Sequence, residues 1–375
     1  MAKTLTRSMR IVVAAFAVIA AASLGTIHVV NAATPPPSRA IPLLLTGVAG
    51  TPLTFVVSTN RSECGYGPCL QLQRTSDNAD HFTTLHLPPI SKARGSLLGD
   101  LGELIFANSK DGYALINTTK SFVWYATTDG AQSWHPLVIA TGETIQQLIP
   151  TRGGLYAVIA HCVKEYTCTD FRIARSTLTA NRWTVGALPA TLSKGGYAFA
   201  AFDSILWANR QGPHVPLLFT SRNEGRTFTQ SSAPALASVN ACGLTPMSAN
   251  ALWAECPTGM FVSFFYSVNA GVNWTAISRY EFAGTGGGAF DPVSSSLSYL
   301  DFGPYTGRSK DLYAVTDSGH KMVAIGNLAC ESTNGLVFSN PKLGLAICQK
   351  NGLAASAYLL RTSDGGRVWT KSNLS

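Results

Sequence analysis

Short apolar and aromatic runs recur along the chain at a steady interval, and the sequence between them is polar. Seven of them stand out: Thr54-Phe55-Val56-Val57, Gly112-Tyr113-Ala114-Leu115, Leu155-Tyr156-Ala157-Val158, Ile205-Leu206-Trp207-Ala208, Ala251-Leu252-Trp253-Ala254, Leu297-Ser298-Tyr299-Leu300 and Gly344-Leu345-Ala346-Ile347. They are rich in aliphatic and aromatic residues and bounded by Gly, Asn and Pro, which predicts β-strands. Leu104-Ile105-Phe106-Ala107-Asn108 and Leu336-Val337-Phe338-Ser339-Asn340 add a preceding strand in two places. Outside the N-terminal segment no window carries a sustained helical period.

A polar octet follows each run. The clearest is Thr362-Ser363-Asp364-Gly365-Gly366-Arg367-Val368-Trp369, and related windows begin at Thr75, Thr127, Ser176, Ser221, Ser267 and Val315, spaced 45–52 residues apart. A glycine at the fifth place supplies the positive φ of a tight turn. A short acid or amide at the third place accepts backbone N–H groups of that turn. Asp77, Asp129, Asn223, Asn269, Asp317 and Asp364 therefore read as turn clasps rather than catalytic acids, and Leu178 breaks the third copy. An aromatic at the eighth place, such as Trp369, is suited to packing between sheets.

A period near 50 with short strands predicts one propeller blade per repeat. The expected fold is all-β, a seven-bladed β-propeller with four-stranded antiparallel blades (strands A to D) and the octet between strands C and D. It is expected to occupy 41–375 as one domain, the first blade starting near Ile41 and the last ending near Asn373. The phasing predicts closure by packing blade 7 on blade 1. A strand exchanged at closure is the alternative the pattern leaves open.

The N-terminus has a different character. Lys3, Arg7 and Arg10 precede an apolar run from Ile11 to Leu24, and Val30-Asn31-Ala32 has the small-x-small form of a cleavage site. We expect a signal peptide over 1–32, cut after Ala32, and hence a secreted or cell-surface protein. An uncleaved anchor is the competing reading, and it is the one under which the protein would meet a membrane. Residues 33–40, with Pro35-Pro36-Pro37, read as a stiff spacer.

Export changes the reading of the cysteines. Eight of them fall as near neighbours, Cys64/Cys69, Cys162/Cys168, Cys242/Cys256 and Cys330/Cys348, which suggests four local disulfides. Metal-ligand spacings are missing, and the seven histidines are scattered, so neither a metal site nor another cofactor is expected. The formal charge is +8, and +5 once Lys3, Arg7 and Arg10 are removed. That balance suits an acidic partner, yet no basic helix or other nucleic-acid motif accompanies it. Gly284-Thr285-Gly286-Gly287-Gly288 lacks the strand-then-helix setting of a nucleotide loop and reads as an inter-blade loop.

The octet resembles the Asp-box (BNR) hairpin of sialidase-type propellers. Seven such blades behind a signal peptide, with the cues Phe106…Gly112-Tyr113-Ala114 and Phe338…Gly344-Leu345-Ala346, resemble the photosystem II assembly and stability factor family and its bacterial relatives. This resemblance implies an assembly or binding module. The wider superfamily also holds glycoside hydrolases, and a sialidase-like enzyme would carry an Arg-Ile-Pro triplet on its first strand. Here Arg39-Ala40-Ile41-Pro42 has one residue inserted.

Two sets of residues could carry function. A glycosidase needs two facing carboxylates. The candidates outside the octets are Glu143, Glu165, Glu281, Asp291, Asp301 and Asp311, each expected to be an ordinary surface acid. The other set follows from topology. The B–C and D–A loops lie opposite the C–D corners, and the phasing gives that face Arg210, Arg279, Tyr280, Tyr305, Arg308 and Lys310 as its binding candidates. A basic, tyrosine-bearing face suits a protein or acidic glycan. We therefore expect a non-catalytic monomeric binding module, with a glycoside hydrolase as the alternative.

Overall fold

The computed structural model describes residues 40–374 apart from 49, 61–68, 91–100, 118–121, 140–141, 165–166, 179–181, 195, 211–216, 233–241, 259–260, 278–281, 284–288, 303–310, 318, 329 and 351–352. Residues 39–375 form one compact unit. It is all-β, and its strands make seven antiparallel sheets of consecutive strands. The molecule is a seven-bladed β-propeller.

Blade 1 shows the plan. Strand A is Ile41–Gly47, B is Thr54–Asn60, C is Cys69–Thr75 and D is Thr83–Leu85. Thr54 pairs with both Gly47 and Thr75, so the residue opening the octet stands opposite the start of strand B. The same register recurs in every blade: Gly112 faces Thr127, Leu155 faces Ser176, Leu206 faces Ser221, Leu252 faces Ser267, Ser298 faces Val315 and Gly344 faces Thr362. Blade 5 adds a short fifth strand, Phe282–Ala283, along strand C, Phe261–Ser267.

The core is divided among the seams. Seven buried clusters are present among the described residues, and each joins two neighbouring blades. Alternation on strand B explains this. The second residue of the aligned strand faces the following blade and is aromatic in six of the seven. Phe55 stacks on Phe106 of blade 2 with ring centroids 3.5 Å apart. Tyr156 OH donates to Asp203 O at 2.9 Å, Trp207 Nε1 to Ala270 O at 3.2 Å, Trp253 Nε1 to Ser294 O at 3.2 Å and Tyr299 OH to Pro341 O at 2.8 Å. Each ring buries a large apolar area while its polar atom finds a carbonyl next door.

The seventh cluster closes the ring. Leu45, Val56 and Ala79 of blade 1 pack with Leu345, Ile347, Ala357 and Leu359 of blade 7. Asn78 Nδ2 donates to Thr362 O at 2.8 Å, Ser372 Oγ to Ala79 O at 2.8 Å, and Arg361 pairs with Asp80. Both end blades are built from consecutive strands, so this seam is closed by side chains.

Candidate functional site

Five C–D corners share one hydrogen-bond scheme. Thr127 Oγ1 donates to Asp129 Oδ1 at 2.8 Å and accepts from Ala131 N at 3.0 Å. Asp129 Oδ1 accepts from Gln132 N and Ser133 N at 2.9 and 3.0 Å, and Oδ2 from Ser133 Oγ at 2.6 Å. Asp77 and Asp364 repeat this: His81 N reaches Asp77 at 3.0 Å, and Arg367 N and Val368 N reach Asp364 at 3.0 Å each. In blades 4 and 5 an amide does the same work, with Thr227 N bonded to Asn223 Oδ1 at 2.9 Å and Asn273 N to Asn269 Oδ1 at 2.8 Å.

These bonds favour the ionised acid. His81, first through its backbone N–H and then its ring, holds Asp77 down at about 2. The Ser133 hydroxyl, then its N–H, holds Asp129 well below the usual carboxylate range. Val368 N–H leads the lowering at Asp364. Proton donors for catalysis need the opposite shift.

Corner 6 is built differently. Thr316 pairs directly with Lys321, giving a tighter hairpin, and Asp317 has φ 52°. His320 N and Nδ1 meet the Asp317 carbonyl at 3.1 and 2.7 Å, and Gly319 N donates to Thr316 O at 3.2 Å, so the described bonds of this turn end on backbone carbonyls.

A cavity of about 600 Å³ lies on the corner side of the closing seam, lined by Asp77, Asn78, Asp80, Arg361, Asp364 and Val368 among others. Its polar walls are the clasps and closure bonds already described. It is remote from the face on which binding was expected.

The expectation of ordinary surface acids fails for three of the carboxylates. Asp301 is fully buried. Asp291, on strand A of blade 6 (Ala289–Ser294), accepts a bond from Phe338 N on strand A of blade 7 (Ser332–Phe338). Asp291 keeps partial solvent contact as a residue, but its carboxyl is enclosed by protein, and burial pushes it up to about 7. Glu143 is largely buried and ion-paired with Arg172. Asp311 is exposed and accepts from Asn327 Nδ2 at 3.3 Å. Glu165 and Glu281 lie outside the described residues.

Register could have found Asp301. It is the third residue after the strand-B position facing the first residue of the octet, a column that reads Val57, Leu115, Val158, Asn209, Glu255, Asp301 and Ile347. Asn209 in the same column is buried and donates to Cys242 O at 2.9 Å.

Of the binding candidates, Arg279, Tyr280, Tyr305, Arg308 and Lys310 lie outside the described residues. Arg210 ends strand B of blade 4 (Ile205–Arg210), at the end of the blade opposite its corner, and pairs with Tyr197. Of the cysteines, Cys64 lies outside the described residues, as does the side chain of Cys69, which begins strand C of blade 1. Cys162–Cys168, Cys242–Cys256 and Cys330–Cys348 are bonded pairs. The first joins directly opposed residues of blade 3 strands Leu155–Lys164 and Thr167–Ser176, which at ten residues each extend beyond their counterparts in most blades. Val163 near its tip is 73 % exposed. Among the described residues no group of three or more His, Cys, Asp or Glu is placed to hold a metal.

The fold therefore defines a propeller with corners on one face and, on the other, B–C hairpins that include one held by a disulfide. Comparison with known proteins gives the same class. No protein-family profile matches the chain, and no curated protein matches it. Among solved structures, the β-propeller domain of the Trilobed protease from Pyrococcus furiosus, described as having an open velcro topology, aligns with TM-score 0.58 and 9% identity over 90% of this chain and 98% of that one. A puromycin-hydrolyzing peptidase of Mycobacterium tuberculosis aligns with TM-score 0.55 and 13% identity over 90% of this chain, which spans about half (53%) of that enzyme. YCF48 bound to a D1 peptide aligns with TM-score 0.48 and 14% identity over 73% of this chain and 82% of that one.

Proposed function

We propose that the protein is an exported, non-catalytic propeller that binds a protein partner or an acidic glycan through the face opposite its C–D corners, and that its corners are Asp-box hairpins. The observation that carries this reading is the long B–C hairpin of blade 3, bolted by Cys162–Cys168 and presenting Val163. A rigid projecting element reduces the ordering cost of association. Arg279, Tyr280, Tyr305, Arg308 and Lys310, assigned to that face from the sequence alone, would add positive charge and aromatic groups to it. The hydrolase alternative draws no support from Asp291, Asp301 and Glu143, which serve blade packing and ion pairing.

Charge reversal at Arg279, Arg308 and Lys310 together tests the proposal. We expect retention on an anionic matrix such as immobilised heparin to be lost at low salt, with the thermal midpoint unchanged. Retention equal to that of the wild type would remove this face as the binding surface. Turnover on a panel of fluorogenic glycosides would instead establish the hydrolase.

A further inference from the structure

The outer edge of strand C is covered to different extents around the ring. In blade 4, strand D (Thr229–Ser232) pairs along strand C (Leu217–Ser221), from Leu217 opposite Ser232 to Thr220 opposite Thr229. In blade 6, strand D (Lys321–Asn327) does the same for Asp311–Thr316. Strand D of blade 5 (Thr275–Ala276) is shorter and pairs with Phe265 and Tyr266 of strand C. There the added strand takes over, with Ala283 opposite Phe261 and Phe282 opposite Val262. A short extended segment from outside the four-strand meander thus completes that edge.

Blade 3 leaves the corresponding edge open. Its strand D (Thr184–Ala187) pairs with Arg172–Arg175 and stops. One further bond follows, from Phe171 N to Ser193 O at 3.1 Å. Beyond it, among the described residues, Thr167, Cys168, Thr169 and Asp170 continue strand C against strand B alone. The backbone groups on the far side of such a strand are a template for another. Thr167, Thr169 and Asp170 are exposed, and alternation puts both threonines on the sheet face opposite Cys168. Strand C of blade 7 (Leu353–Thr362) also overruns its strand D. Ala357 there is buried in the closing seam, and Lys371 Nζ lies 4.5 Å from the centre of the Tyr358 ring, so that overhang is engaged within the molecule.

We propose that the open edge of the blade 3 hairpin docks an extended segment of a protein partner, which adds to the sheet as a further strand. This rests on the reading of the hairpin as a binding element and narrows its partner to a polypeptide. Blade 5 supplies the precedent, since Phe282–Ala283 lies on the equivalent edge within the same chain. A second copy of the protein is a poorer occupant, because four residues a side bury far less than the roughly 1,000 Å² of a stable interface. An extended segment needs less area, since main-chain bonds supply its affinity and alternate side chains its selectivity.

The edge also constrains the sequence it accepts. Thr167 and Thr169 favour β-branched or aromatic residues across the strand, and proline is excluded at pairing positions. The described charges beside the edge balance. Asp170 lies 3.6 Å from Arg172 Nε, Arg172 also pairs with Glu143, and the exposed Lys194 follows Ser193. The segment is therefore neutral, β-branched at alternate positions and free of proline.

Titration of the intact protein with a synthetic strand tests the proposal. The probe is the fluorescent, end-blocked peptide Ser-Thr-Val-Thr-Val-Thr-Ser. Its control is N-methylated at every threonine and valine, which keeps the side chains and removes the main-chain donors. We expect half-saturation by the parent peptide below about 1 mM, and binding of the control at least about tenfold weaker. Amide protection over 167–170 should rise about fivefold at saturation, while that over Leu217–Ser221 holds steady. Absence of binding, equal binding of the two peptides, or unchanged protection over 167–170 would overturn the proposal. So would a dimer of the protein that the peptide dissociates, which would make a second copy the occupant. Retention of the same sample on immobilised heparin separates the two readings: retention without peptide binding removes the docked strand and leaves the binding face standing.

Discussion

The corners and the blade 6–7 seam use the same side chain to opposite ends. At the corners, Asp77, Asp129 and Asp364 sit near water and gather N–H and O–H donors, so ionisation stabilises the turn. At the seam, Asp291 is enclosed and receives one backbone N–H, so burial opposes its ionisation. Donor count and hydration decide the outcome, and both are set by position within the blade.

The largest effect should come from removing the seam acid. Asp291→Asn keeps the shape and eliminates ionisation. Relative to wild type it should gain up to about 4 kcal/mol between pH 4 and pH 8, following the linkage of a carboxyl raised from 3.8 to about 7. Denaturant unfolding at both pH values measures it. A constant difference would break the comparison.

The next test concerns the glycine that joins a corner to a seam. Gly366 has φ 87°, and a Cβ there would lie 2.3 Å from Leu312 Cδ2 of blade 6. Ala79 and Ala131 occupy the same place in blades 1 and 2 with φ 64° and 68°. Gly366→Ala should cost about 3 kcal/mol, from left-handed backbone and overpacking together. A cost below 1 kcal/mol would show that the corner moves freely relative to the preceding blade.

Smaller effects belong to the clasps. Asp364→Ala should cost about 1–2 kcal/mol at pH 7, since the lost bonds are charge-assisted but water-accessible. The loss should shrink as pH falls below about 4, because wild type then surrenders the same bonds. The smallest change should follow Asn223→Asp. Thr227 can donate N–H and O–H to a carboxylate as Ser133 does to Asp129, so we expect a gain of about 0.5 kcal/mol, present at pH 7 and absent at pH 2.

The sequence made the repeat readable because the corner needs particular chemistry. A hydroxyl, an acid or amide and a residue tolerant of positive φ must fall at fixed offsets, and they do so in Thr362, Asp364 and Gly366. Strand B was readable for a similar reason, since each seam requires a bulky side chain such as Trp207 or Tyr299. Burial of Asp291 and Asp301 was not readable from local pattern. Ala289-Phe290-Asp291-Pro292 carries no sign of which residue meets the next blade, and that depends on register across two strands. Corner 6 escaped because Asp317 and Gly319 keep the motif while a shorter hairpin changes what the aspartate can reach. The added strand Phe282–Ala283 is too short for a periodic signal.

Thermal unfolding of wild type, Asp77→Asn and Asp291→Asn at a series of pH values from 2 to 8 tests most directly whether place in the blade sets the behaviour of an acid. Asp77→Asn should unfold below wild type at neutral pH and merge with it near pH 2. Asp291→Asn should merge with wild type near pH 4 and unfold above it at pH 8. Displacement of both variants in the same direction across the whole series would contradict the account.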